Sequence, residues 1–292
     1  MRMRLRLISV FLLLTPICLE AQDNIIVSPQ WLNEHLADPQ LVILQPNFLR
    51  LDYEAEHIKG ARFLWTNRLA FDTPEGTFNP PNATDATRLL QELGINRDSK
   101  IVLCHVRSDV SLTARMFITL EYLGLKDRVY FLNGGLEAWK KAGYPVTTEL
   151  PVFKKGNYVA RINPVLVDKN YVQQTLKGTG GFVVDARMKR FYDGDPTGNP
   201  RDGHITGALN IPYTDMIDST NQVKPTDLLL KNFATVVPDK QKEIVAYCFI
   251  GQTASVLYLT GRSLGYNVKI YDGSIQEWSR IPSLPIKKTK KE

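Results

Sequence analysis

The chain has 292 residues, about twice the size of a common single domain, so two folded units are expected and a solitary small module is excluded. With 43% hydrophobic, 10% aromatic and 23% charged residues, and only 19 glycines and 17 prolines, it has the make-up of a globular protein, not of a disordered, collagen-like or low-complexity one. Lys and Arg total 36 against 30 Asp and Glu, giving +6, an excess too thin and too concentrated at the two ends to point to nucleic acid.

Arg2, Arg4 and Arg6 precede an uncharged stretch from Leu7 to Leu19. That stretch is short of the ~20 residues a membrane-spanning helix needs, and a basic segment followed by a short apolar one is the layout of a secretory signal. Residues 1–21 are therefore expected to be a signal peptide cleaved near Ala21, which places the mature chain in the periplasm or outside the cell. Leu19, three residues before the break, is not the usual small residue, and Pro16 and Ile17 disfavour a lipoprotein route through Cys18. Removal takes away three arginines, one glutamate and Cys18, leaving +4 and two cysteines, Cys104 and Cys248. No later segment is long and apolar enough to cross a bilayer, so no membrane association is expected once the signal is gone. Two cysteines in an exported chain would ordinarily be read as one disulfide, so each is weighed by its surroundings.

Residues 22–148 form the first expected domain. His57-Ile58-Lys59-Gly60-Ala61 opens a loop, and a short apolar strand from Ile101 ends in Cys104. A helix from about Leu112 to Leu123 follows, with Leu112, Met116, Phe117, Leu120 and Leu123 on one face and Gly124 as its stop. Val129-Tyr130-Phe131 is the next strand and leads to Asn133-Gly134-Gly135-Leu136-Glu137-Ala138-Trp139. Residues 149–165, with Pro151, Pro164 and no lasting apolar period, read as a linker.

The second expected domain, residues 166–292, repeats the order. His204-Ile205-Thr206-Gly207-Ala208 and Asp272-Gly273-Ser274-Ile275-Gln276-Glu277-Trp278 echo the two motifs above. The strand Ile244 to Cys248, a helix from about Thr253 to Leu264 stopped by Gly265, and the strand Val268 to Tyr271 lie between them. Strand, helix and strand at this spacing make a parallel βαβ unit in each copy, so the fold class is α/β. Asp193 to Asp202 reads as a surface loop, and Lys287 to Glu292 as a charged tail.

Cys248 stands directly after a strand and, through Phe249, Ile250, Gly251, Gln252 and Thr253, directly before a helix. A thiol there meets the unpaired N–H groups and positive dipole end of that helix, which favour the thiolate. Gly251 lets the loop curl into a cradle of backbone N–H groups. Cys104 differs: ten residues separate it from Ala114, against six from Cys248 to Ala254, and no glycine intervenes. It reads as structural. His57 and His204 read as bridges between backbone groups, Trp139 and Trp278 as core anchors, and Asp185 as a residue that fixes backbone or Arg187.

The segment Tyr247-Cys248 through Gly251 to Ala254, with Tyr271-Asp272-Gly273-Ser274, Trp278, Asp185-Ala186-Arg187 and Gly203-His204-Ile205-Thr206-Gly207-Ala208, resembles the rhodanese, or sulfurtransferase, family in its tandem form. The resemblance implies two rhodanese-like domains, each a mostly parallel central sheet flanked by helices, with a non-catalytic first copy and a catalytic second. It further implies that Cys248 takes a sulfane sulfur as a persulfide and passes it to a thiol, cyanide or thioredoxin-like acceptor. No metal or organic cofactor is expected. Arg187 is the best matched anion-binding side chain and Phe249 to Thr253 the expected substrate-binding loop, with a small anionic sulfur donor such as thiosulfate or mercaptopyruvate. A related phosphatase signature places an arginine six residues after the cysteine, where this chain has Ala254, so a phosphatase is disfavoured. Thiosulfate-selective members usually carry cations just after the cysteine, where Phe249 and Ile250 stand. That departure leaves an alternative reading, a sulfur carrier or protein-binding module with little turnover of free thiosulfate.

Overall fold

The computed structural model describes residues 25–289 apart from residues 75, 108, 109 and 179, and the expected signal peptide lies outside the described residues. The first half runs β1 (Ile26–Val27), α1 (Pro29–His35), β2 (Leu41–Asn47), α2 (Arg50–Ala55), β3 (Arg62–Trp65), β4 (Phe71–Thr73) and β5 (Gly76–Asn79). It continues through α3 (Ala83–Glu92), β6 (Lys100–Leu103), α4 (Val110–Leu120), β7 (Val129–Leu132) and α5 (Gly135–Lys141). The second half runs β8 (Leu166–Val167), α6 (Lys169–Lys177), β9 (Gly181–Asp185), α7 (Lys189–Asp193), β10 (His204–Ile205) and β11 (Leu209–Asn210). It ends with α8 (Thr226–Val236), β12 (Glu243–Tyr247), α9 (Ala254–Ser263), β13 (Val268–Tyr271), α10 (Ser274–Ser279) and β14 (Ile286–Lys287).

Each half builds one parallel five-stranded sheet, ordered β1-β7-β6-β2-β3 and β8-β13-β12-β9-β11, and the two orders correspond strand for strand. Such sheets must be covered on both faces, which explains strands that are apolar almost throughout. The helix starts repeat as well: the Ser28 side chain accepts the Trp31 N–H at α1, and the Asp168 side chain accepts the Tyr171 N–H at α6. Trp139 and Trp278 fill the two outer layers, and their indole N–H groups donate to Pro145 O at 2.9 Å and Pro285 O at 3.1 Å. The inner layers merge: α4 and α9 pack on each other, and one apolar core runs through both halves.

Two expectations about local structure need correction. The first βαβ helix begins at Val110, before Leu112, and α4 closes at Leu120 with a wide turn, Glu121–Leu125, in which Gly124 has φ 94°. Its buried start extends the face that meets α9. Lys287 is not free tail: β14 pairs antiparallel with β10, Lys287 opposite His204, because the edge backbone of β10 takes a partner. The linker packs on the first domain: Gly156 N donates to Gln91 O at 2.8 Å, Tyr158 N donates to Ile95 O at 3.0 Å, and Tyr158 is buried. The hairpin of β4 and β5 was not legible in the sequence at all.

One polar network crosses the apolar seam. Glu121 is fully buried; it accepts from Tyr258 Oη and from Arg262 Nη2 at 3.1 Å, and Arg262 also pairs with Asp127 at 2.9 Å. A buried carboxylate stripped of its cation is strongly destabilising, whereas an exposed pair contributes little. Arg262→Met is therefore expected to cost about 3 kcal/mol in urea unfolding. Arg50→Met, which breaks the exposed Arg50–Glu54 pair, should cost less than about 1 kcal/mol. Equal costs would contradict this view of the seam.

Candidate active site

β12 is a central strand, and the carboxyl ends of central parallel strands are where α/β folds place their ligands. Cys248 follows its last residue and is 1% exposed. The first turn of α10 holds it from the side. The Cys248 N–H donates to Ser274 Oγ at 3.2 Å, Ile275 N donates to Cys248 O at 3.1 Å, and Gln276 N donates to Phe249 O at 3.1 Å. Further on, Ser255 Oγ donates to Gly251 O at 2.8 Å and Ser255 N to Gln252 O at 3.1 Å, which ties the end of the loop to α9. The loop carbonyls at both ends are thus occupied. The N–H groups of Phe249, Ile250, Gly251, Gln252 and Thr253 make no hydrogen bond to another described residue. Five successive donors at a helix start, next to a thiol, suit an anion.

Two backbone positions make this curl possible. Gly251 has φ +82°, and a Cβ placed on it would lie 3.0 Å from Arg115 Nη1 and 3.1 Å from Asp272 Oδ1. Ser274 has φ 52° without being glycine, whereas its counterpart in the first domain, Gly135, has φ 55°. The second domain thus accepts roughly 1 to 2 kcal/mol of backbone strain to put a hydroxyl where Cys248 N–H points.

Arg187 lies beside this loop, 1% exposed, with its charge already paired. Its Nη2 donates to Asp185 Oδ2 at 2.6 Å and to Gly203 O at 2.7 Å, and its Nε lies 3.0 and 3.1 Å from the two Asp185 oxygens. Burial by itself would favour the neutral form; the Asp185 carboxylate outweighs it and holds the guanidinium charged, with a smaller contribution from Cys248. Nη1 makes no hydrogen bond to another described residue. The guanidinium carbon sits 5.1 Å from the Phe249 ring centroid, Phe249 packs edge-on against Phe191 at 5.2 Å, and Arg190 caps Phe191 at 4.4 Å. Phe249 therefore packs within the second domain and covers Arg187. Lys189 is taken up by Asp193 at 2.9 Å. Ile250 and Thr253 are half-buried, and Gln252 Nε2 reaches the first domain at Ser111 Oγ, 3.1 Å away.

Cys104 occupies the matching position in the first domain, fully buried, and burial pushes its thiol far up. It has no glycine turn beside it, and both it and Cys248 are free thiols. His57 bridges Tyr53 O at 2.7 Å and Glu149 O at 3.0 Å, and His204 Nδ1 meets Tyr192 O at 2.7 Å while its ring stacks on Tyr192. Among the described residues no cluster of three His, Cys, Asp or Glu side chains is placed to hold a metal ion, and no helix is long and apolar enough to cross a membrane.

Sequence reasoning missed Ser274, Arg115 and Asp272 as parts of this site. The change from Gly135 to Ser274 between the repeats was a usable signal; nothing local marked Arg115, which comes from the other domain.

The model of the rhodanese-like domain matches residues 28–142 and 168–281. The sulfur carrier protein TtuD of Thermus thermophilus is 31% identical over 283 residues, covering 92% of this chain and 98% of that one. A thiosulfate sulfurtransferase of Azotobacter vinelandii is 28% identical over 267 residues, covering 90% and 96%. The crystal structure of SseA from Escherichia coli, a 3-mercaptopyruvate sulfotransferase of the rhodanese fold, superposes with a TM-score of 0.74 at 27% identity, covering 85% and 98%.

Gly251 and Gly265 share φ +82°, but a Cβ at Gly265 would meet open space. Gly251→Ala and Gly265→Ala should each lose about 1 to 2 kcal/mol in denaturant unfolding for the left-handed backbone. Only Gly251→Ala should also slow alkylation of Cys248 by iodoacetamide. Equal alkylation rates in the two variants would show that the turn at Gly251 does not set the thiol's surroundings.

Proposed function

The chain belongs to the rhodanese-like family, and from that membership we propose that it is a sulfurtransferase using Cys248 as its sulfur-carrying nucleophile. The observation that carries this reading is the run of five backbone N–H groups, residues 249–253, that have no acceptor among the described residues immediately after the cysteine. The Cys248 thiolate attacks the outer sulfur of the donor, an S–S bond forms, and the donor's own bond to that sulfur breaks with its electron pair. Sulfite leaves from thiosulfate; from mercaptopyruvate the carbon takes the pair and a proton to give pyruvate. The persulfide bears a negative charge that the loop donors stabilise. An acceptor thiolate or cyanide then attacks the outer sulfur and restores the Cys248 thiolate. These steps need only the chain's own residues.

The donor is the finer question. A charge-assisted hydrogen bond contributes roughly 1.5 to 3 kcal/mol, which a compact dianion such as thiosulfate needs to offset its desolvation. Arg187 is largely spent on Asp185, and Phe249 and Ile250 bring no charge. This favours a second reading, in which the chain carries persulfide sulfur to a protein or thiol acceptor and turns over free thiosulfate poorly. The similarity to a protein named as a sulfur carrier agrees with it. Export is part of the proposal too, resting on Arg2, Arg4 and Arg6 ahead of the apolar run and on a cleavage site near Ala21.

Incubation with thiosulfate or mercaptopyruvate followed by intact mass measurement should show one added sulfur per chain, lost in Cys248→Ser and kept in Cys104→Ser. The reverse pattern would overturn the assignment. In a cyanide-dependent thiocyanate assay the thiosulfate KM should be high and should fall in Ile250→Lys. A low wild-type KM that this substitution leaves alone would mean that the loop side chains do not set donor preference.

A further inference from the structure

Arg115 belongs to the first domain, on α4, and is fully buried. Its guanidinium reaches out of that domain. Nη1 donates to Asp272 Oδ1 at 2.6 Å in the second domain, Nη2 donates to Phe78 O in the hairpin of β4 and β5, and Nε has no hydrogen-bond partner among the described residues. Asp272 directly follows β13, two residues before the Ser274 whose hydroxyl takes the Cys248 N–H. The ion pair also lies directly beneath the catalytic loop, at the 3.0 and 3.1 Å that a Cβ on Gly251 would meet. Ser111, one turn earlier on α4, holds Gln252 of the same loop.

We propose that Arg115 is a positioning residue for sulfur transfer: the first domain uses it, through Asp272, to fix the α10 turn and the Gly251 curl that shape the surroundings of Cys248. An interface needing only adhesion has a simpler material in the apolar side chains that already join α4 to α9, since a buried ion pair seldom stabilises more than a packed apolar one. Here the charge is placed where the loop's backbone passes closest. The fork geometry matters as well, because one guanidinium meets the Asp272 carboxylate and the Phe78 carbonyl together, which a lysine ammonium on a flexible stem cannot reproduce in the same plane. The first domain thereby contributes to the chemistry of the second. The inference rests on Cys248 being the sulfur carrier.

The test uses the full chain and compares Arg115→Met, Arg115→Lys and Asp272→Asn with Arg262→Met, which breaks a buried ion pair in the same seam away from the loop. Small misplacements of reacting groups cost about 100-fold, so Arg115→Met is expected to lower kcat for thiocyanate formation by about that factor with the donor KM nearly unchanged. Iodoacetamide alkylation of Cys248 should slow in parallel, with Arg115→Lys between wild type and Arg115→Met, and Arg262→Met should keep the wild-type alkylation rate. If Arg115→Met fails to fold, Asp272→Asn, whose carboxylate is partly exposed, takes the same two readouts. The proposal is overturned if the Arg115 and Asp272 variants leave kcat and the alkylation rate at wild-type values, or change them no more than Arg262→Met does. Alkylation needs no sulfur donor, so a chain that never loads sulfur would refute the proposed function while this readout still decides the role of Arg115.

Discussion

The first turn of α10 grips the backbone of Cys248 and Phe249 through three hydrogen bonds, from Cys248 N–H to Ser274 Oγ and from the N–H groups of Ile275 and Gln276 to the two carbonyls. With those carbonyls turned toward α10 and the Gly251 carbonyl taken by Ser255, the loop presents donors and few acceptors on its remaining face. Cys104, at the matching strand end, is driven by burial toward its neutral form. The two cysteines are buried to nearly the same degree, so the difference between their surroundings lies in the residues that follow them.

The repeat makes the comparison internal to one chain. Both domains share strand order, the side-chain caps of α1 and α6, a buried histidine whose ring nitrogen meets a backbone carbonyl, and the tryptophan whose ring N–H ends on a proline carbonyl. They part at a few positions. Ser274 stands for Gly135 at nearly the same positive φ, and three residues after Cys104 the left-handed position is held by Arg107, at φ 54°, where the second domain has Gly251 at φ +82°. Helix α4 of the first domain also brings Ser111 and Arg115 to the loop of the second.

Much of this was legible in the sequence because it is local. A strand ending in cysteine, a glycine three residues on and a helix start lie within one short segment, and their roles follow from backbone geometry. The two-domain α/β fold was legible because the motifs recur in order. Arg187 was found by its type, yet its commitment to Asp185 was readable only in part: a spacing of two at a strand end puts both side chains on one side, but not how completely the carboxylate occupies the cation. The packing of Phe249 on Phe191 was not readable, because the two lie far apart in sequence. The Arg115–Asp272 pair, 157 residues apart, left no local trace at all.

The central claim is that the five N–H groups after Cys248 exist to hold a negatively charged sulfur. A crystal structure of the protein after incubation with a sulfur donor tests this most directly. The account predicts one extra sulfur bonded to Cys248 Sγ, within hydrogen-bonding reach of backbone nitrogens of residues 249–253. An extra sulfur on Cys104, or one on Cys248 that points away from those nitrogens while they bond elsewhere, would contradict it.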